Sequence, residues 1–163
     1  QRALHQALTL TRTNLEEARR SVLDLRAAPL EGRTLAGALE ALVKENAAHG
    51  KLKIKFNVTG GGRPLPLALE AGLYRVAQEA LSNISRHAQA RHAWVKLVIT
   101  PEQVRLMIKD DGHGFDPATI AQNRYGLTGM NERMKLLGGE LHIQSAAGAG
   151  TQIEADVPLL RPK

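Results

Sequence analysis

Apolar positions along the chain recur with two periods, and these divide it into elements. Over residues 3–26, Leu8, Leu15 and Val22 repeat every seven residues, interleaved with Leu4, Thr11, Ala18 and Leu25. This seam, with Arg12, Glu16, Arg19 and Arg20 off it, predicts one long helix whose narrow stripe suits a helical bundle. Pro29 ends it and Leu30 to Arg33 form a joint, so the domain boundary falls there, 1–29 against 30–163. A helix over about 34–49 carries Leu35, Leu39 and Leu42 on one side, with Gly50 as its cap. "LKIKFNV" then alternates strictly, predicting a strand that buries Leu52, Ile54, Phe56 and Val58 before the loop "TGGGRPLP".

The helix predicted over about 66–87 has a stripe of Leu69, Leu73, Val76, Ala80 and Ile84, with Ala77 and Leu81 beside it. Strands follow at 94–100 and 104–109, turning at Pro101-Glu102. A helix over about 127–137 closes at Gly138-Gly139, and "AAGAG" joins two final strands at 140–145 and 151–157. After the first helix the order is α, β, α, β, β, α, β, β, with no internal repeat. That order predicts an α/β (α+β) two-layer sandwich: a mixed sheet with helices on one face, preceded by the long N-terminal helix.

Composition narrows the picture. The chain has 163 residues, enough for one domain with an appendage, and 43% are hydrophobic against 3% aromatic, so the core is aliphatic. No apolar run approaches membrane-spanning length and there is no signal-peptide pattern. Gln1 is not an initiator, which predicts a piece of a longer chain. With no cysteine there is no disulfide and no thiolate metal site; this is compatible with a cytoplasmic domain. The net charge is +6, but the basic residues are scattered and lack interleaved aromatics. That argues against direct nucleic-acid binding and for a basic pocket that takes a small phosphate ligand.

The chemistry begins at "DDGHGFD", residues 110–116. Asp110 continues the inward register of Val104, Leu106 and Ile108, and a carboxylate is costly to bury without donors. Gly112 and Gly114 remove side chains just beyond it, which would let a ligand approach the backbone. Alone, this is equally a tight turn capped by an Asp. Thr151, however, shares the inward register of Ile153, Ala155 and Val157 and follows "GAG", so two polar groups end inward-facing strands, each beside paired glycines.

On the helix before, Glu79 and Asn83 lie four apart, with Arg86 and His87 three and four further on. Carboxylate and amide oxygens suit Mg²⁺, and an adjacent Arg or His suits phosphate. In isolation the same residues read as a solvated face with an i,i+4 pair. Gly126 and Gly129 bracket a helix start, where free amides make an anion site; capping by Thr128 and a flexible joint account for them as well.

Together, "QEALSNISRHA", "DDGHGFD", "YGLTGMNERMKLLGG" and "GAGT" resemble, in order, the N box, two glycine boxes and closing motif of one ATP-binding domain. It is the GHKL (Bergerat) domain shared by gyrase, mismatch-repair ATPases and sensor histidine kinases, and the resemblance covers about residues 35–158. "YGLTGMNERM" is similar to the wording of the nitrate-sensor and DesK subgroup of histidine kinases, departing at Asn131, where that subgroup has Arg. Fifteen residues separate Asp110 from Gly126, which implies a short nucleotide lid. "EEARRSVLDLRAAPLEGRTLAGALEAL" resembles the end of that subgroup's dimerisation hairpin.

The resemblance implies that Asp110 accepts the adenine amino group, with Thr151 in support through water. Asn83 would bind Mg²⁺, with Glu79 beside it as a metal or catalytic residue that orients or polarises the attacking group. Arg86 and His87 would meet phosphate, while Gly112, Gly114, Gly126, Leu127 and Gly129 shape the nucleotide site and lid. The implied reaction moves the γ-phosphoryl group of ATP to a histidine, then to an aspartate on a response regulator with a LuxR-type helix-turn-helix output. The full protein would be a homodimer.

His5 stands too close to "DLR" to be the acceptor of a full hairpin, so the acceptor helix is expected elsewhere. A DNA-acting ATPase of gyrase or mismatch-repair kind would want a transducer domain, and Lys163 ends the chain first. Four intact boxes speak against a non-catalytic ATP-sensing module.

Overall fold

Alternating stretches pair into one sheet because each has a face that must leave water. The computed structural model describes residues 28–48, 52–61, 64–116 and 125–159. The helix predicted over 3–26, His5, the Gly50 cap and residues 117–124 of the expected lid lie outside the described residues.

The strands are β1 Lys53–Gly60, β2 His92–Ile99, β3 Gln103–Asp110, β4 Glu140–Ser145 and β5 Thr151–Pro158, in the spatial order β1-β2-β3-β5-β4. β1 runs parallel to β2, and every other pair is antiparallel, so the sheet is mixed. Among the described residues three α-helices, α1 Leu35–Ala48, α2 Leu67–Asn83 and α3 Tyr125–Leu136, lie between the strands in the order α1, β1, α2, β2, β3, α3, β4, β5. α2 is the long connection that a parallel β1–β2 pair requires.

Register builds the core in rungs. Val95 faces Ile108 and Ile108 faces Ile153; Leu97 faces Leu106 and Leu106 faces Ala155. All are buried, while Lys96, Arg105 and Lys109 on the opposite face are exposed. There Arg105 pairs with both Asp156 and Glu154. Leu73, Val76, Ala77 and Leu81 of α2 are fully buried on the inner face, and α2 packs against α1, α3, β3 and β5. Leu30, in the short turn Ala28–Leu30, is buried in the same core.

Two details differ from the pattern. β1 runs through Thr59 and Gly60, and Val58 is 42% exposed although it shares the inward register of Ile54 and Phe56. As an edge strand, β1 is paired on one side only and its far end escapes cover. The helix predicted to reach His87 stops being α-helical at Asn83, and Ile84–Ala88 forms a wide π turn. α3 closes as expected on its glycines: Gly139 N–H donates to the Met134 carbonyl (2.8 Å) and Gly138 N–H to that of Lys135 (3.0 Å). No helix among the described residues is long and apolar enough to cross a membrane.

Candidate functional site

Asp110 ends β3 one rung beyond Ile108, opposite Ala93, whose small side chain leaves room beside the carboxylate. At 2% exposure it is the only buried charged or polar side chain among the described residues. Its Oδ1 accepts the Gly112 N–H at 2.7 Å, and the Thr151 backbone N–H also supports the anion. Burial outweighs these donors and raises the carboxyl above its ordinary range. Two donors do not exhaust a carboxylate, which has about four acceptor positions.

Asp110 lies in an open pocket with a cavity of about 40 Å³. Its walls are mainly apolar (Ala80, Ile84, Ile108, Phe115, Leu127, Ile153), and Asn83, His87, His113 and Thr151 add polar groups. The lining suits a small planar ligand with a polar edge. Of the predicted residues, Asn83, His87, Asp110, Gly114, Leu127 and Thr151 come together here.

The two glycines after Asp110 have a different first task from the one expected. A side chain at Gly112 would start 2.8 Å from the Asp110 carboxylate and collide with the Ala88 carbonyl. At Gly114, φ +60°, a side chain would collide with the Ala146 carbonyl and start 2.7 Å from that of Gly150. Protein backbone fills the space their missing side chains leave. His113 N–H donates to the Ala88 carbonyl (2.9 Å), Gly148 N–H to the His113 carbonyl (2.6 Å) and Phe115 N–H to Ser145 Oγ (2.8 Å). The segment is thus a strap bonded to the π turn on one side and to the β4–β5 connection on the other.

The π turn separates the two basic residues. It winds more slowly per residue than an α-helix, so Arg86, three after Asn83, falls short of that face, whereas His87 stays on it. Arg86 instead lines a second depression with Glu45, Asn46 and Gln78. Glu79 is not in the pocket wall; its carboxylate rests on Gly126, where a side chain would start 3.0 Å from Glu79 Cδ. An anion over the first turn of α3 is electrostatically favourable. Gly129 faces open space.

Sequence reasoning passed over Ser145 and Asp111. Ser145 follows Leu141 and Ile143 on β4's inward register, the same signal that marked Asp110 and Thr151. Asp111 accepts the Arg91 and His92 N–H groups at 2.8 Å each and meets His92 Nδ1 at 2.7 Å. Chiefly through the His92 amide, this lowers its carboxyl to about 2.

A mixed sheet with a buried carboxylate at the floor of an apolar pocket agrees with the two-layer fold that the resemblance to the GHKL domain implies. The profile described as histidine kinase-, DNA gyrase B- and HSP90-like ATPase matches residues 68–161. The chain is 35% identical over 150 residues to the signal transduction histidine-protein kinase/phosphatase DegS of Brevibacillus brevis, covering 92% of this chain and 39% of that protein. It is 36% identical over 143 residues to the sensor histidine kinase LiaS of Bacillus subtilis (strain 168), covering 88% and 39% respectively. The chain therefore spans about two fifths of these relatives' length. The histidine kinase domain of a blue-light activated histidine kinase from Erythrobacter litoralis EL346 superposes with a TM-score of 0.62 at 24% identity, over 77% of this chain and 61% of that one, and shows the same fold. The chain belongs to the histidine kinase-, DNA gyrase B- and HSP90-like ATPase family, and within it to the nitrate-sensor/DesK-type sensor histidine kinases.

Proposed function

We propose that this chain is the catalytic part of a two-component sensor kinase that moves the γ-phosphoryl group of ATP to a histidine imidazole. The P–O bond to the β-phosphate breaks, a P–N bond forms and ADP leaves; the group then passes to an aspartate on a response regulator. The observation that carries the reading is Asp110, a buried carboxylate with spare acceptor capacity at the end of an apolar pocket. An adenine would lie with its ring against the apolar wall and its exocyclic amine toward Asp110.

His87, on the pocket wall, takes the phosphate role, with Arg86 held off by the π turn. Asn83 offers one amide oxygen to Mg²⁺, and among the described residues no three acidic or histidine side chains form a metal cage of their own. Phosphate oxygens and water would complete the coordination, and the ion would supply charge neutralisation on the phosphates. Glu79, one helical turn before Asn83, is assigned to orienting the attacking imidazole. Catalysis here is mostly positioning.

The catalytic domain is placed at 30–163, which Leu30's burial in the core supports, with 1–29 as part of a dimerisation hairpin. The whole protein is proposed to be a homodimer with this domain in the cytoplasm, acting on a LuxR-type regulator. The test mixes this chain, radiolabelled ATP and Mg²⁺ with a longer form carrying the acceptor helix, its own Asn83 replaced by alanine. Acid-labile label on the longer polypeptide alone supports the proposal. Label on the short chain, abolished by His5→Gln, would place the acceptor in residues 1–29.

A further inference from the structure

We propose that Ser145 fixes the Thr151 hydroxyl as a hydrogen-bond acceptor toward the pocket, and so contributes to selecting an exocyclic amine over a carbonyl. The inference rests on the nucleotide reading above. A serine hydroxyl has one proton and two lone pairs. Ser145 Oγ makes three contacts: the Gly150 carbonyl at 3.0 Å, the Phe115 N–H at 2.8 Å and Thr151 Oγ1 at 2.9 Å.

A carbonyl can only accept, so Gly150, which is buried, takes the serine proton. An N–H can only donate, so Phe115 takes one lone pair. The remaining lone pair must then meet a donor, and the Thr151 proton points at Ser145.

That proton is therefore spent inside the protein. Thr151 lines the pocket and shows it only lone pairs, and the Asp110 carboxylate, as an anion, does the same. The pocket floor offers two acceptors from different strands. A 6-amino purine brings two N–H groups to such a floor, for direct contact or contact through a water. A 6-oxo purine puts an acceptor in place of that amine and keeps only its N1–H as a donor beside it, so one acceptor of the floor faces a carbonyl. Ser145 touches no ligand in this account. It acts through Thr151 and is a positioning residue.

The test titrates ATP and inosine triphosphate, a 6-oxo purine nucleotide, into the 163-residue chain and its variants by calorimetry. Ser145→Ala frees the Thr151 hydroxyl to rotate and donate into the pocket. The ATP-to-inosine-triphosphate affinity ratio should then narrow about three- to tenfold, an effect of one hydrogen bond. Ser145→Thr, which keeps a hydroxyl, should hold the wild-type ratio. In a Thr151→Val background, Ser145→Ala should narrow it no further, since the group it acts through is gone. If the alanine variant does not fold, Ser145→Cys replaces it, because a thiol donates and accepts only weakly.

Equal weakening of both nucleotides would mark Ser145 as structural only and overturn the inference. So would full narrowing that persists in the Thr151→Val background. A wild-type chain that binds neither nucleotide would overturn the nucleotide reading itself, and this inference with it.

Discussion

Adjacent carboxylates in "DDGHGFD" have opposite fates because the strand pleat sends them to opposite faces. Asp110 points into the core, where burial raises its pKa. Asp111 points outward onto the amides that open β2 and is lowered from 3.8 to about 2. The lowered group contributes stability at pH above its unfolded value, and that contribution is lost as pH falls from about 4 toward 2. The raised group behaves in the opposite sense. Its folded form holds a proton to higher pH than the unfolded chain, so its charging costs stability as pH rises through the raised value.

Adenine recognition needs the Asp110 anion, so ATP affinity should fall on acidification before the Asp111 contribution to folding is lost. Calorimetry at stepped pH beside circular dichroism checks the order, and Asp111→Asn should flatten only the unfolding limb. Loss of binding and unfolding at one common pH would contradict it. At this scale the sequence was informative where alternation applied. Asp110 and Thr151 were legible from register, and Ser145 was equally marked on β4. What register could not show was which proton Ser145 gives to which partner, since that depends on three contacts drawn from separate segments.

Among the elements, the π turn Ile84–Ala88 is the feature periodicity hid. The apolar stripe of α2 runs on through Ile84, so nothing in the spacing announces that the winding changes after Asn83. The consequence is functional. Extended as a regular helix, both Arg86 and His87 would flank Asn83, whereas the wide turn leaves only His87 in the pocket. His87→Ala should therefore weaken ATP about tenfold while leaving adenosine binding unchanged, the worth of one charge-assisted contact to phosphate. Arg86→Ala should have much less effect on either ligand. Calorimetric titration of both ligands into both variants decides; a larger loss from Arg86→Ala would mean that the turn rewinds when nucleotide binds. The strap at 112–115 was legible as special but for another reason than the one inferred. Its glycines admit the Ala88, Ala146 and Gly150 carbonyls, contacts that no local spacing reveals.

For the whole molecule, clean alternation along β2, β3 and β5 against 3.6-residue stripes on the helices was enough to predict a mixed sheet covered on one face. The edge was harder to read: Val58 sits on the apolar register of β1 yet is exposed, because cover depends on where the helices end. The architecture brings the end of β3, the start of β5, the end of α2 and the start of α3 to one pocket. The central claim is that this pocket takes adenine through Asp110. Calorimetric titration of ATP and GTP into the wild-type chain and Asp110→Ala tests it most directly. Guanine presents a carbonyl where adenine has its amine, and opposing a buried acceptor costs about 1–3 kcal/mol. ATP should therefore bind the wild type at least about tenfold tighter than GTP, and Asp110→Ala should erase most ATP binding. Equal affinities for the two nucleotides, or an Asp110→Ala variant that binds ATP as the wild type does, would contradict the account.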